Sequence, residues 1–321
     1  METERLAWVD FGRGIALIGM AVYHLCWDMS YFGYIPHDKP NTLGFVILAR
    51  IVAASFLFLS GFSLVLANQK QIHWYKFFRR LFVIVAAAVL VSAATYLFIP
   101  DDFIYFGMLH EIALSSLIGM FFLFSPIIVN FIAFIVILLI HQFFAFDALN
   151  QPLIWWLGLS TAPRPAFDFV PFIPWFAAPL AGITTARLMQ RFDWLPFLRG
   201  NSIVRSKFFI TKIGRHSLII YLLHQPIFLA VILLITLVFP PSTNNIESQL
   251  VGQCVVTCSR ANDDHVCKSY CRCVVSNIKD QRLLQPFMNG EILESDTRIK
   301  TIEGGCFLPN ANRENHDKAN S

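Results

Sequence analysis

The chain has 321 residues, 56% of them hydrophobic and only 14% charged, with 32 Phe and a formal net charge of +4. Soluble domains carry about 25% charged residues, so the composition excludes an ordinary soluble domain and points to an integral membrane protein. Basic residues lie between apolar segments, which gives no nucleic-acid signal, and no nucleic-acid partner is expected.

The first apolar segment, 6–27, is long enough to span a bilayer yet carries Asp10, Arg13 and His24. Ionisable groups in a spanning helix cost several kcal/mol and mark pathways or sites. At about 100° per residue, Asp10, Arg13, Leu17, Met20, His24 and Asp28 form one stripe, with Arg13 and His24 roughly 16 Å apart along the axis. Asp10 and Arg13 within the segment, a start that is not strongly basic and the lack of a small-residue cleavage site favour a permanent helix over a signal peptide. Gly12, Gly14 and Gly19 lack the spacing and preceding strand of a dinucleotide fingerprint and read as points of close helix approach.

Six more spanning segments follow near 43–67, 78–98, 106–124, 126–146, 169–188 and 217–239, each about 20 residues. The expected fold is therefore an all-α polytopic bundle of about seven spanning helices. Ser125-Pro126 splits the fourth from the fifth. The sixth opens on the run FVPFIPW at 169–175, whose prolines predict a kinked or unwound start. Lys70, Lys76, Arg79 and Arg80, and then the basic loop 187–216, lie on one side. Lys39 and Arg164 are the basic residues on the other. The excess of Lys and Arg inside predicts a cytoplasmic N-terminus and an external C-terminal tail.

That topology sorts the intramembrane polar residues into two layers. Arg13, Ser217, Tyr221 and His224 are expected at an inner layer, the last three sharing a helix face. His24, Arg50, His110, Glu111, His141 and Trp175 are expected at an outer one. Arg50 and Glu111 would each be costly alone, so a pair between them is expected. Asp10 is expected to pair with Arg13, and Cys26 reads as a packing residue. His110 and His141 read as interfacial structural residues. The histidines show no metal-ligand spacing, and no metal is expected.

The tail, 240–321, begins with a PPSTNN linker and holds six cysteines: Cys254, Cys258, Cys267, Cys271, Cys273 and Cys306. An external, disulfide-permissive compartment favours bridges over zinc. Cysteines at i, i+4 share a helix face, so two short helices stapled antiparallel by Cys254–Cys271 and Cys258–Cys267, with Cys273–Cys306 closing the rest, are one of fifteen possible connectivities. The chain thus divides into a membrane domain, 1–239, and a Cys-rich soluble tail, 240–321.

The segment VDFGRGIALIGM at 9–20, followed by His24, resembles the catalytic domain of heparan-α-glucosaminide N-acetyltransferase, and more closely that family's bacterial branch. FLFLSGFS at 56–63, VPFIPW at 170–175 and IGRHSLIIYLLHQP at 213–226 support the likeness, which covers about residues 4–238. The first and last pieces also resemble the wider transmembrane acyltransferase group, in which an Arg precedes a His in the first helix. The resemblance implies transfer of acetyl from cytosolic acetyl-CoA, a co-substrate, to a glycan or amino sugar across a bacterial inner membrane. It carries Arg13 and His24 as catalytic residues, and Ser217, Tyr221 and His224 on the donor side. His37, in the loop after the first helix, is a rival to His24, because the lysosomal enzyme's catalytic histidine lies in that loop.

Acyl transfer needs a general base for the acceptor hydroxyl or amine, which a histidine near the outer surface supplies. A histidine-linked acetyl intermediate is the variant. Asp28, Arg50, Glu111 and Trp175 are the expected acceptor-binding residues. Arg79, Arg80, Lys212 and Arg215 are expected to meet the donor phosphates. Two other classes compete: a transporter or channel using the same polar layers, and a membrane anchor for an interaction tail. The expected partners are the bilayer and the glycan, with an oligomer also possible.

Overall fold

The computed structural model describes residues 7–36, 39–69, 71–162, 166–195, 208–241, 243–259, 262–288, 292–293 and 296–306. Their regular structure is all-helical, joined by turns and irregular segments, with no strand beyond an isolated bridge between Phe146 and Ser160. In chain order the helices are α1 (Ala7–Tyr31), α2 (Leu43–Ala67), α3 (Trp74–Phe98), α4 (Met108–Phe122), α5 (Ile127–Phe143), α6 (Phe172–Trp175), α7 (Ala177–Arg191), α8 (Phe208–Arg215) and α9 (Ser217–Val238). In the tail they are α10 (Thr243–Cys258), α11 (Asp264–Asp280), α12 (Leu284–Met288) and α13 (Thr297–Gly305).

α1, α2, α3 and α9 are long and apolar enough to cross a membrane. Their outward residues are large and apolar, including Phe82, Leu90, Leu97 and Leu237, and all stand exposed. Such a surface is stable against hydrocarbon and not against water. α4 and α5 are apolar but shorter, with 15 and 17 residues. At 1.5 Å per residue they reach about 22 and 26 Å, less than a full hydrocarbon core of about 30 Å. The sixth expected span is the one that breaks. Ile173 is non-helical at φ −99°, ψ 124°, the Ile173–Pro174 peptide is cis, and regular helix resumes only at Ala177.

Two compact units are present. The first comprises Met1–Val22 and Ile47–Pro226, and the second Tyr23–Val46 and Ile227–Ser321. In the first, small residues set the helix spacing. A Cβ on Gly182 of α7 would run into the carbonyl oxygen of Phe58 on α2, and one on Gly61 of α2 into that of Pro179 on α7. The two helices therefore touch backbone to backbone, the packing that small residues permit within membranes. The fully buried Leu180 and Ile183 lie on the same helix, Ile183 in a cluster with Phe62, Leu64 and Met120.

The α4–α5 corner is held by polar side chains aimed at free carbonyls. Arg187 donates through Nη1 to the carbonyls of Phe122, at 2.9 Å, and Ser125, at 2.5 Å. Asn130 is fully buried, donates to the same Phe122 carbonyl at 3.2 Å and accepts a short hydrogen bond from Ser125. The last carbonyls of α4 have no partner within the helix, and these contacts supply it.

In the second unit, α10 and α11 form the stapled pair. Cys254–Cys271 and Cys258–Cys267 are bonded in nested order, which makes the helices antiparallel, and Cys273–Cys306 ties α11 to the end of α13. This is the pairing that the i, i+4 spacing suggested. Ile246, Val274, Ile278, Ile299 and Ile302 form the core beneath the bridges. Gln249 of α10 donates a short hydrogen bond to the carbonyl of Tyr31, and the Tyr34 hydroxyl donates to the carbonyl of Phe239 at 2.6 Å. Cys26 is a buried free thiol, in keeping with a packing role.

Candidate functional site

The stripe expected on α1 is a buried face. Asp10, Leu17, Met20 and Asp28 are buried, and Arg13 and His24 are half-buried. In the first unit, Arg13 donates through Nη2 to Ser63 Oγ at 2.7 Å and pairs with Asp10 at 3.5 Å. The arginine thus joins α1 to the FLFLSGFS segment of α2, and the expected Asp10–Arg13 pair forms. Nearby, α8 crosses α1 so closely that a Cβ on Gly214 would meet the carbonyl oxygen of Asp10, and one on Gly14 that of Ile210. The crossing brings the glycines of the first and last quoted motifs against each other.

Tyr221 is the hub of this unit. Its ring packs against three clusters: Leu17, Met20 and Val52; Leu57, Met108 and Val170; and Ala87, Ala88 and Leu109. Its hydroxyl donates to Asp168 Oδ2 at 3.2 Å, and the same oxygen accepts the Met108 amide at 3.1 Å. Asp168 therefore sits at the N-terminus of α4, where unpaired amides favour a carboxylate. His224 lies one turn on, its ring centroid 5.7 Å from that of Tyr221 and its Nδ1 2.5 Å from the Tyr221 carbonyl.

This geometry corrects the two-layer expectation. Asp168 belongs to a loop expected on the outer side, Met108 to the outer end of the fourth expected span and Tyr221 to the inner layer, yet they share one hydrogen-bonded cluster. The cause is the short α4 and the chain leading into it. Segment 99–107 folds back along α3, with Ser92 Oγ donating to the Ile104 carbonyl at 2.5 Å and the Ile104 amide donating to Thr95 Oγ1 at 3.1 Å. Ser92 lies six residues before the end of α3, so α4 begins about 9 Å below that end at the helical rise. His110 fastens this re-entry: its Nδ1 accepts the Gly107 amide at 3.2 Å and its Nε2 lies 3.3 Å from Ser92 Oγ.

The expected Arg50–Glu111 pair does not form. Glu111 is fully buried and accepts from Ser115 Oγ at 2.6 Å, while Arg50 is exposed on α2. Helix rotation explains the difference: α4 turns Glu111 and Ser115 into the bundle, and α2 turns Arg50 out of it. Trp175 packs against the Leu57, Met108 and Val170 cluster, close to Tyr221. Arg79, Arg80, Lys212 and Arg215 are exposed on α3 and α8, and Ser217 opens α9. His24 and Asp28 belong to the second unit, where the His24 ring meets Tyr23 edge-on at 5.7 Å. His37 lies outside the described residues. Among the described residues, no group of three or more His, Cys, Asp or Glu is placed to hold a metal ion.

Sequence reasoning missed Asp168. The available signal was a lone acid between Phe167 and Phe169, at the threshold of an apolar span.

The pattern of the family described as heparan-alpha-glucosaminide N-acetyltransferase, catalytic, matches residues 5–226. The chain belongs to this family. The match takes in α1 with Arg13, the Arg13-bound segment of α2, Asp168, and α9 as far as His224 and Pro226. Membership implies acetyltransferase activity in a membrane setting. Comparisons with curated proteins and with solved structures returned no match.

Proposed function

We propose that the protein is a membrane acetyltransferase that moves an acetyl group from cytosolic acetyl-CoA to an extracytoplasmic glycan or amino sugar. The observation that carries this reading is that the family match encloses two polar clusters of buried and half-buried side chains: Arg13 with Ser63 and Asp10, and Tyr221 with Asp168 and His224. A helix that only anchors in lipid gains nothing from a buried arginine, whereas a thioester donor with phosphates needs cations along its path.

In this reading the exposed Arg79, Arg80, Lys212 and Arg215 hold the donor phosphates at the cytoplasmic face, and the pantetheine arm enters beside Arg13. A histidine base takes a proton from the acceptor amine or hydroxyl as it attacks the acetyl carbonyl, and the thiol of coenzyme A leaves. His24 and His37 are the two candidates for that base. The protein then lies in a bacterial inner membrane with its N-terminus inside.

Membranes containing the protein, given radiolabelled acetyl-CoA and a glucosamine-terminated acceptor, test the reading. Transfer is expected with wild type and lost in Arg13→Ala. Comparing His24→Ala with His37→Ala identifies the base, the true one costing on the order of 100-fold or more. Full transfer in Arg13→Ala, or none in wild type with any amino sugar or glycan, would overturn it.

A further inference from the structure

The Cys-rich tail lies beyond residues 5–226, which the family pattern matches, and it shares a compact unit with Tyr23–Val46. Inside that unit α1 ends on a Schellman motif. Gly33 takes a left-handed φ of 79°, its amide donates to the Ser30 carbonyl at 3.1 Å, and the Tyr34 amide reaches back to the Met29 carbonyl at 2.8 Å. The motif satisfies those two carbonyls and leaves the Tyr31 carbonyl open. Gln249 of α10 fills it: Nε2 donates to the Tyr31 carbonyl, and the residue is buried, with 8% of its surface exposed.

Other contacts hold the same turn. A Cβ on Gly33 would sit 3.2 Å from Gln249 Oε1 and 3.6 Å from both Ile246 and Pro241, so α10 packs directly on the glycine. The Tyr34 hydroxyl donates to the Phe239 carbonyl at 2.6 Å, which ties the turn to the chain leaving α9. Ile246 also belongs to the tail core with Val274 and Ile278, and the Cys254–Cys271 bridge fixes α10 on α11. The bridged core therefore sets where Gln249 stands. On the α1 side of the turn Asp28 and Ser30 are buried, and Ser30 Oγ donates to the Pro36 carbonyl at 3.4 Å. His24 lies two turns before Tyr31 on the same helix, and His37 follows Pro36 in sequence. Both candidate bases thus flank the turn that the tail holds. Helix ends fray, and a reacting group displaced by about 1 Å loses on the order of 100-fold in rate.

We infer that the stapled tail is a clamp on the C-terminal end of α1, with Gln249 as the positioning residue for whichever of His24 and His37 serves as the base. The inference rests on the acetyltransferase reading for the chemistry, whereas the clamp itself is measurable without it.

The test uses the full-length protein in nanodiscs with its bridges formed. Gln249→Leu keeps the bulk and removes the donor. Tyr34→Phe removes the tie to Phe239 and keeps the ring. Gln253→Leu alters an exposed position one turn further along α10. Hydrogen exchange is followed at the amides of residues 32–35 and of α11. Gln249→Leu is expected to speed exchange at 32–35 by about ten-fold or more and Tyr34→Phe by about three-fold, with Gln253→Leu like wild type and α11 unchanged in all three. Acetyl transfer is measured as turnover per acetyl-CoA-binding site, counted by titration, so that any loss of folded protein is divided out. Turnover per site is expected to fall about ten-fold in Gln249→Leu while KM for acetyl-CoA stays within about two-fold, and to hold in Gln253→Leu.

Unchanged exchange at 32–35 in Gln249→Leu would overturn the clamp. Faster exchange there with wild-type turnover per site would overturn the positioning role. Exchange that rises equally through α11 would place Gln249 in the support of the tail core, and would overturn the inference as well. If wild type transfers acetyl to no acceptor, the acetyltransferase reading fails, and exchange at 32–35 still decides the clamp.

Discussion

Tyr221 shows how much one side chain organises. Its ring touches three clusters and its hydroxyl holds Asp168, so its two parts are separable by mutation. Tyr221→Phe keeps the ring and loses one hydrogen bond to a carboxyl group, a cost of about 1–2 kcal/mol. Tyr221→Ala also opens a cavity where the clusters meet, and large aromatic truncations cost about 3–5 kcal/mol. Thermal unfolding of the two variants in detergent should rank them in that order. Equal losses would mean that the hydroxyl, not the ring, carries the contact. The residues of the α1 stripe were legible because an arginine in an apolar run announces itself and helical periodicity says which neighbours share its face. Asp168 was not, because its partner Tyr221 lies 53 residues away and no local pattern encodes that distance.

At the scale of elements, the hydropathy pattern located the cores of the spans and misjudged several ends. The segment 43–67 coincides with α2, and the proline run broke the sixth span at Ile173 as expected. The expected spans overran the start of α4 and the end of α5 because the flanking loops, Phe103 to Phe106 before α4 and Phe144 to Phe146 after α5, are as apolar as the helices. A hydrophobic loop that folds back into the bundle reads as more helix. What stops α4 is the polar plug of Arg187 and Asn130 on its final carbonyls, which sequence alone did not show. Asn130→Ala leaves the Phe122 carbonyl its bond from Arg187 but takes the acceptor Oδ1 from the Ser125 hydroxyl, and the loss of these hydrogen bonds at a fully buried site costs about 1–3 kcal/mol in all. A loss below about 0.5 kcal/mol in detergent unfolding would show that Arg187 holds the corner without Asn130. The tail helices are capped in the ordinary way, Asp263 accepting the His265 amide and Asp296 the Arg298 amide. The Arg298 side chain, and then its amide, hold the Asp296 carboxyl down to about 2. A carboxyl lowered in the folded state stabilises fully above the ordinary value near about 3.9, and that contribution fades as pH falls through 2. Helicity of the tail should therefore decline over that acid window. Asp296→Asn, which keeps a capping oxygen, should reduce the slope measured by circular dichroism.

For the whole molecule, the tail has its own core and its own covalent frame. The three bridges span 9, 17 and 33 residues of sequence. Loop-closure entropy rises with the logarithm of that span, giving about 2.6, 3.1 and 3.7 kcal/mol for Cys258–Cys267, Cys254–Cys271 and Cys273–Cys306 taken singly. The first lies inside the second, so their contributions overlap: with Cys254–Cys271 closed, Cys258–Cys267 constrains a chain that is already short. Cys273–Cys306 closes the longest loop and is the covalent tie between α13 and α11, over a core that holds Ile299 and Ile302. Cys273→Ser with Cys306→Ser should therefore cost more than Cys258→Ser with Cys267→Ser, by about 1 kcal/mol on the loop term and by more if α13 detaches. Limited proteolysis of the two double variants in membranes should show cleavage after residue 280 in the first and a largely intact tail in the second. The four helices long enough to cross a membrane are satisfied by their own hydrogen bonds and by lipid, so either variant should leave α1, α2, α3 and α9 protected. Cleavage spreading into these helices in either variant would show that the stapled tail supports them as well as its own core.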